Sequence, residues 1–139
     1  MNASELLDAH LERITVDLEQ WLALFADDAV IEFPYAASLG TAARLDGKDA
    51  IRAYFGGSVP TMEDLAFSNV RRYPAGDPDV AWLEVHGAAR IPSTGRRYEQ
   101  DYVMFGRARE GQLVLYREYW DPWVAARAFG LELGTEGER

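Results

Sequence analysis

The chain has 139 residues, of which 48% are apolar and 12% aromatic, with a formal net charge of −9 and no cysteine. That size and apolar share fit one folded domain over residues 1–139 and exclude a disordered chain, while the acidic balance argues against nucleic acid and anionic membrane surfaces as partners. Without cysteine there is no disulfide scaffold, zinc–thiolate site or cysteine nucleophile.

Leu7, Leu11, Ile14, Leu18, Trp21, Leu22 and Phe25 recur at helical spacing. Ser4 reads as an N-cap, and Thr15 followed by Asp17 and Glu19 reads as a second start, so two short helices are expected. Residues 29–35 alternate as a strand ending at Pro34, and residues 36–46 read as a loop. A helix opens at Gly47, with Ala50, Ile51, Tyr54 and Phe55 on one face, and is expected to stop at Gly56-Gly57. Strands follow over 64–73, 80–91, 98–109 and 112–121, with turn clusters at Pro74–Pro78 and Pro92–Gly95 and a hairpin turn at Glu110-Gly111. A last helical turn is expected at 124–130, and residues 131–139 read as a frayed tail. No apolar run approaches the roughly 18 residues of a membrane helix. Met1–Glu5 carries neither the basic flank nor the apolar segment of a signal peptide, so a cytoplasmic location is expected.

Helices first and an antiparallel sheet afterwards predict an α+β domain with helices on one sheet face. The other face, expected to carry Tyr98, Tyr102, Met104, Arg117 and Tyr119, is too aromatic to be merely wet, which predicts a homodimer through it. Period-two alternation splits each long strand into two sets. Trp82, Glu84 and His86 oppose Leu83, Val85 and Gly87. Asp101, Val103 and Phe105 oppose Tyr98, Tyr102 and Met104. Tyr116, Glu118 and Trp120 oppose Leu115, Arg117 and Tyr119. Periodicity alone allows either set to face the helices.

Three strings carry a family resemblance. Leu24–Pro34 resembles the helix-to-strand passage of NTF2-like proteins, the cone-shaped fold of ketosteroid isomerase, limonene-epoxide hydrolase, the SnoaL polyketide cyclases and the PhzA/PhzB phenazine proteins. Leu45–Phe55 resembles their next helix, and Tyr116-Arg-Glu-Tyr-Trp-Asp-Pro122 resembles the last strand of the SnoaL-like and PhzA/PhzB group. The resemblance covers about residues 5–130 and implies a curved, mostly antiparallel sheet around a pocket. It also implies which sets line that pocket: Phe33, Glu84, His86, Asp101, Phe105, Glu118 and Trp120, with Trp21, Tyr54 and Phe55 closing it from the helices. Trp82 and Tyr116 complete the expected wall.

On this reading Glu118 and His86 are the proton-transfer pair, Asp101 an acid or oxyanion donor, and Glu84 an electrostatic modulator. Carboxyl groups among aromatics lose hydration and are expected to hold their protons more tightly. His10 reads as a boundary residue of the first helix. The chain also departs from its relatives. Phe33 stands where ketosteroid isomerases carry their general base, Ala9 falls near their oxyanion tyrosine, and Glu84-Val-His86 replaces the hydrolase's Arg-x-Asp. Both of those mechanisms are therefore disfavoured. What remains expected is a cofactor-independent enzyme, with no metal, doing isomerisation, cyclisation, dehydration or condensation on an apolar or aromatic small molecule. The alternative is a ligand-binding or scaffold dimer of the same fold.

Overall fold

The computed structural model describes residues 1–133, so Gly134–Arg139 of the expected tail lie outside the described residues. Helix α1 (Ala3–Arg13) starts at Asn2 rather than Ser4: the Asn2 side chain accepts from Glu5 N at 2.9 Å while the Glu5 carboxylate accepts from Asn2 N, also at 2.9 Å. This reciprocal box satisfies two backbone donors that a cap two residues later, at Ser4, would leave open. Helix α2 (Leu18–Leu22) is capped by Asp17, as its acidic first turn predicts. Helix α3 (Lys48–Ser58) runs through Gly56-Gly57 and yields to a 3-10 turn at Val59–Thr61, where Pro60 cannot continue it. Helix α4 (Pro122–Phe129) begins two residues earlier than the sequence suggests. Asp121 caps it, and Pro122 supplies the fixed φ of a first helical turn.

The strands are β1 (Phe25–Glu32), β2 (Arg44–Asp46), β3 (Glu63–Pro74), β4 (Val80–Ile91), β5 (Arg96–Arg109) and β6 (Gln112–Tyr119). They form one six-stranded sheet in the order β2-β1-β6-β5-β4-β3, antiparallel throughout except for the β1–β6 pair. β2 lies inside the segment expected to be loop. Register breaks within the β3–β4 and β1–β6 pairs bend the sheet, and the helices pack on one of its faces. Gln100 clamps the start of α4 through both backbone groups of Asp121 (2.9 and 3.0 Å). Thr94 holds its end at the Ala128 carbonyl (2.7 Å). Leu131, expected to fray, donates its N–H to Ala126 O at 2.9 Å. Among the described residues no helix is long and apolar enough to cross a membrane.

One register break decides the site. The β5–β6 hairpin turns at Glu110-Gly111, both with positive φ (53° and 79°), as a tight two-residue turn demands. Arg109 pairs with Gln112 and Ala108 with Leu113, but Arg107 then pairs with Leu115, leaving Val114 as an extra residue. From there Gly106 faces Tyr116 and Met104 faces Glu118. Uninterrupted pairing would have set Val103 opposite Glu118, and Asp101 and Phe105 on its face. The bulge exchanges the partners, because a one-residue slip moves every side chain to the other face. Leu83, Val85, Tyr98, Tyr102 and Met104 are accordingly buried under the helices. Tyr98, Tyr102 and Met104 are thus absent from the outer face, where they were expected, and Arg117 and Tyr119 remain there.

Candidate functional site

Between the helices and the sheet lies a cavity of about 210 Å³. Its wall takes His10 from α1 and Ile14 from its C-cap, Phe33 from just after β1, Tyr54 and Phe55 from α3, and Phe67 from β3. Tyr98 and Tyr102 come from β5, Glu118 from the end of β6 and Trp120 from just after it. Ala125 and Phe129 of α4 and Leu131 also line it, as do the hydroxyl-bearing Thr41, Ser58 and Thr61 and the apolar Leu39, Val59, Met62 and Leu65. Apart from Glu118 the wall holds no acidic residue, and it holds no Lys or Arg.

That isolation governs Glu118. Burial away from water, with no cation beside it, pushes its carboxyl up to about 7, against the opposing effect of hydrogen bonds from Tyr116 and Trp120. The Tyr116 hydroxyl donates to Glu118 Oε1 at 2.7 Å. Near neutral pH the group therefore stands ready either to give or to take a proton, the condition for general acid–base work. Tyr98 and Tyr102 share one hydrogen bond at 2.8 Å between their hydroxyls. Two O–H groups with one bond between them leave one proton to donate elsewhere. Burial raises the pKa of both, Tyr98 to about 12, so they act as neutral donors. Gly87 of β4 makes room for this pair: a Cβ there would lie 2.9 Å from Tyr102 Cε2.

His10 is the second polar group of note. It is 1% exposed and accepts at Nδ1 from the Trp21 indole N–H at 2.8 Å. Burial pulls its pKa down to about 3, so it is neutral at ordinary pH. Its Nε2 is buried with no hydrogen-bond partner. A buried donor left unpaired costs about 1–3 kcal/mol.

The sequence-predicted residues divide. Glu118, Phe33, Tyr54, Phe55 and Trp120 line the cavity as expected. Trp21 and Tyr116 stand one layer behind, both fully buried, holding His10 and Glu118 respectively. Glu84, His86, Asp101, Trp82 and Phe105 occupy the opposite face, carried there by the Val114 bulge. Asp101 and Trp82 line an open groove outside the cone with Tyr35, Tyr119 and Pro122. His86 bonds Asp101 through Nδ1 (2.8 Å) and Glu99 through Nε2 (3.2 Å), and Glu84 accepts from Tyr73 at 3.1 Å. The expected Glu118–His86 pair is therefore not formed. Among the described residues no cluster of three or more His, Asp or Glu side chains could hold a metal ion.

Sequence reasoning missed His10, Tyr98 and Tyr102. The signal for His10 was its phase: it lies on the stripe of Leu6, Leu7 and Ile14, a polar residue in an apolar row. For the tyrosines it was their spacing of four on β5, in phase with buried Met104.

The sequence profile of the SnoaL-like domain matches residues 6–116. The chain belongs to the SnoaL-like family. An uncharacterised PhzA/B-like protein of Pseudomonas aeruginosa is 36% identical to this SnoaL-like domain over 94% of the chain and 92% of its own length. The structure of a candidate isomerase from Bacillus subtilis is 32% identical, covers 92% of both chains and superposes with a TM-score of 0.85. A Mycobacterium tuberculosis protein solved in complex with estradiol-17β-hemisuccinate has a TM-score of 0.75 at 24% identity, covering 87% of this chain and 95% of its own. At that identity the last likeness speaks for the fold alone.

Proposed function

We propose that this SnoaL-like domain is a cofactor-independent enzyme that binds a small apolar or aromatic metabolite in the cone and moves a proton with Glu118. One observation carries the reading: a carboxyl at about 7, hydrogen-bonded to Tyr116, in the wall of a mostly apolar cavity that holds no other carboxyl and no Lys or Arg. Such a group takes a proton from carbon beside a carbonyl and returns it elsewhere, the step shared by isomerisation, cyclisation, dehydration and condensation. The neutral Tyr98–Tyr102 pair supplies a hydroxyl proton for the charge that develops. At about 210 Å³ the cavity falls below the roughly 300–1,000 Å³ of sites for drug-sized ligands. The substrate is then a one-ring or similarly small molecule. A binding-only or scaffold role is the alternative.

Deuterium exchange beside the carbonyl of small cyclic ketones in D₂O, followed by NMR, separates these. The enzyme reading expects exchange in the native chain, reduced by about 10²–10⁴-fold in Glu118→Gln. Binding of the same ketones without any exchange would favour the binding-only role.

The outer face supports a homodimer through Trp82, Phe105 and Tyr119; Tyr119 was expected on this face, whereas Tyr98 and Tyr102 lie inside. Trp82 packs on Phe105 (centroids 4.7 Å) and stacks with Tyr119 (6.3 Å), and Arg117 lies over Phe105 (5.3 Å). Sedimentation of Trp82→Glu against the native chain tests it: the variant is expected to sediment as a monomer.

A further inference from the structure

An indole N–H can only donate. Since the Trp21 N–H points at His10 Nδ1 at 2.8 Å, that nitrogen must be the acceptor, and in a neutral imidazole the single ring proton then sits on Nε2. Trp21 thus fixes the tautomer. The resulting Nε2–H is buried, belongs to a residue of the cavity wall and meets no acceptor in the protein. Buried donors are almost always satisfied; Nε2 is closed off as the side chains stand, and a small shift of the cavity wall to which His10 belongs would bring it to an acceptor on a ligand. The His10 ring packs on Tyr116 at 4.7 Å between centroids, and the far end of Tyr116 holds Glu118. His10 and Glu118 are therefore joined through a single side chain.

We infer that His10 Nε2–H receives a carbonyl oxygen of the ligand, so that the cavity selects small cyclic or aryl carbonyl compounds over hydrocarbons of the same shape. This rests on the cavity being the ligand site, and it names the ligand's polar group and the residue that reads it. Bound in this way, the oxygen gains a donor that needs no reorganisation when negative charge develops on it. Size fits as well: an apolar cavity of about 150 Å³ accommodates benzene, and about 210 Å³ leaves room for a ring with an acetyl group.

Acetophenone and α-methylstyrene test this, because they differ only in C=O against C=CH₂. Calorimetric titration of the native protein is expected to give about tenfold tighter binding of acetophenone, the worth of one hydrogen bond in a dry site. The infrared stretch of bound ¹³C=O acetophenone is expected to fall relative to its value in an apolar solvent. His10→Asn keeps an acceptor for Trp21 but withdraws the Nε2 donor, and should bind both probes alike. His10→Gln keeps a donor near the Nε2 position and should restore the preference and the lowered stretch. Equal binding of the two probes by the native protein, with an unshifted stretch, would overturn the role of His10 while leaving the cavity as the ligand site. Failure of both probes to bind would overturn the cavity reading, and this inference with it. The comparison of probes on the native protein stands even if a variant fails to fold.

Discussion

On the helix-covered face of the sheet, burial holds His10 neutral down to about pH 3. On the outer face, His86 keeps its proton above the usual histidine range because Asp101 and then Glu99 accept its ring N–H groups. The carboxyl groups follow the same division. Glu118 is pushed up to about 7 by lost hydration, whereas Glu84 and Asp101 sit at the surface among partners and solvent. His and Glu are common to both faces, so residue type does not set the chemistry. What differs is whether a counter-charge or water can reach the group. The inner face holds groups whose neutral forms burial favours, the outer face groups held in ion pairs.

The largest effect is expected at His10. Its folded pKa lies below the unfolded value of about 6.5, so the native state binds fewer protons and stability falls as pH drops below that value. The penalty grows by up to about 5 kcal/mol at pH 3, at roughly 1.4 kcal/mol per unit. In urea unfolding at a series of pH values, His10→Gln should remove this acid-side loss, its own deficit at pH 7 being the lost Trp21 acceptor. Glu118→Gln should act in the opposite window. A carboxyl raised in the folded state contributes fully below about 4.5 and loses its contribution as pH rises through about 7. The variant should therefore gain on the native chain by up to about 3 kcal/mol between pH 4 and pH 8. Gly87→Ala drives a methyl group against Tyr102 and should cost about 1–3 kcal/mol by overpacking. Loss of acetophenone binding in the same variant would show the tyrosine pair disturbed. The smallest effect belongs to the outer face. His86→Gln should change stability by less than about 1 kcal/mol, and less at high salt. The stabilisation it removes is present below about pH 6.5 and fades as pH rises through the raised folded value. Cavity binding in this variant should match the native chain.

The order of the helices and long strands and the limits of β4 were legible in the chain from apolar periodicity, whereas the inward turn of Phe33 and Glu118 was legible only through the family resemblance of the Leu24–Pro34 and Tyr116–Pro122 strings, since alternation by itself allows either face. The company of Glu118 was not. Alternation along β4 and β5 is regular, and nothing in Leu113-Val114-Leu115 distinguishes a bulge from continuous pairing, since all three residues suit a strand. The cap at Asn2 and the run of α3 through Gly56-Gly57 escaped for a related reason: neighbouring residues with similar local preferences compete, and tertiary context chooses. His10 escaped because a buried polar side chain looks, in one dimension, like the edge of an amphipathic stripe.

The unpaired Val114 also tells where β6 can change length. Removing that residue, with the hairpin held fixed, would take out the bulge and leave Leu115 to Tyr119 opposite the same β5 residues, since Arg107 already pairs with Leu115. Removing a paired residue between Leu115 and Arg117 would instead set Glu118 opposite Phe105, on the face that carries Asp101. The bulge is thus a slack link in the strand: length can vary there without moving Glu118, and just beyond it the same change would turn that carboxyl out of the cone.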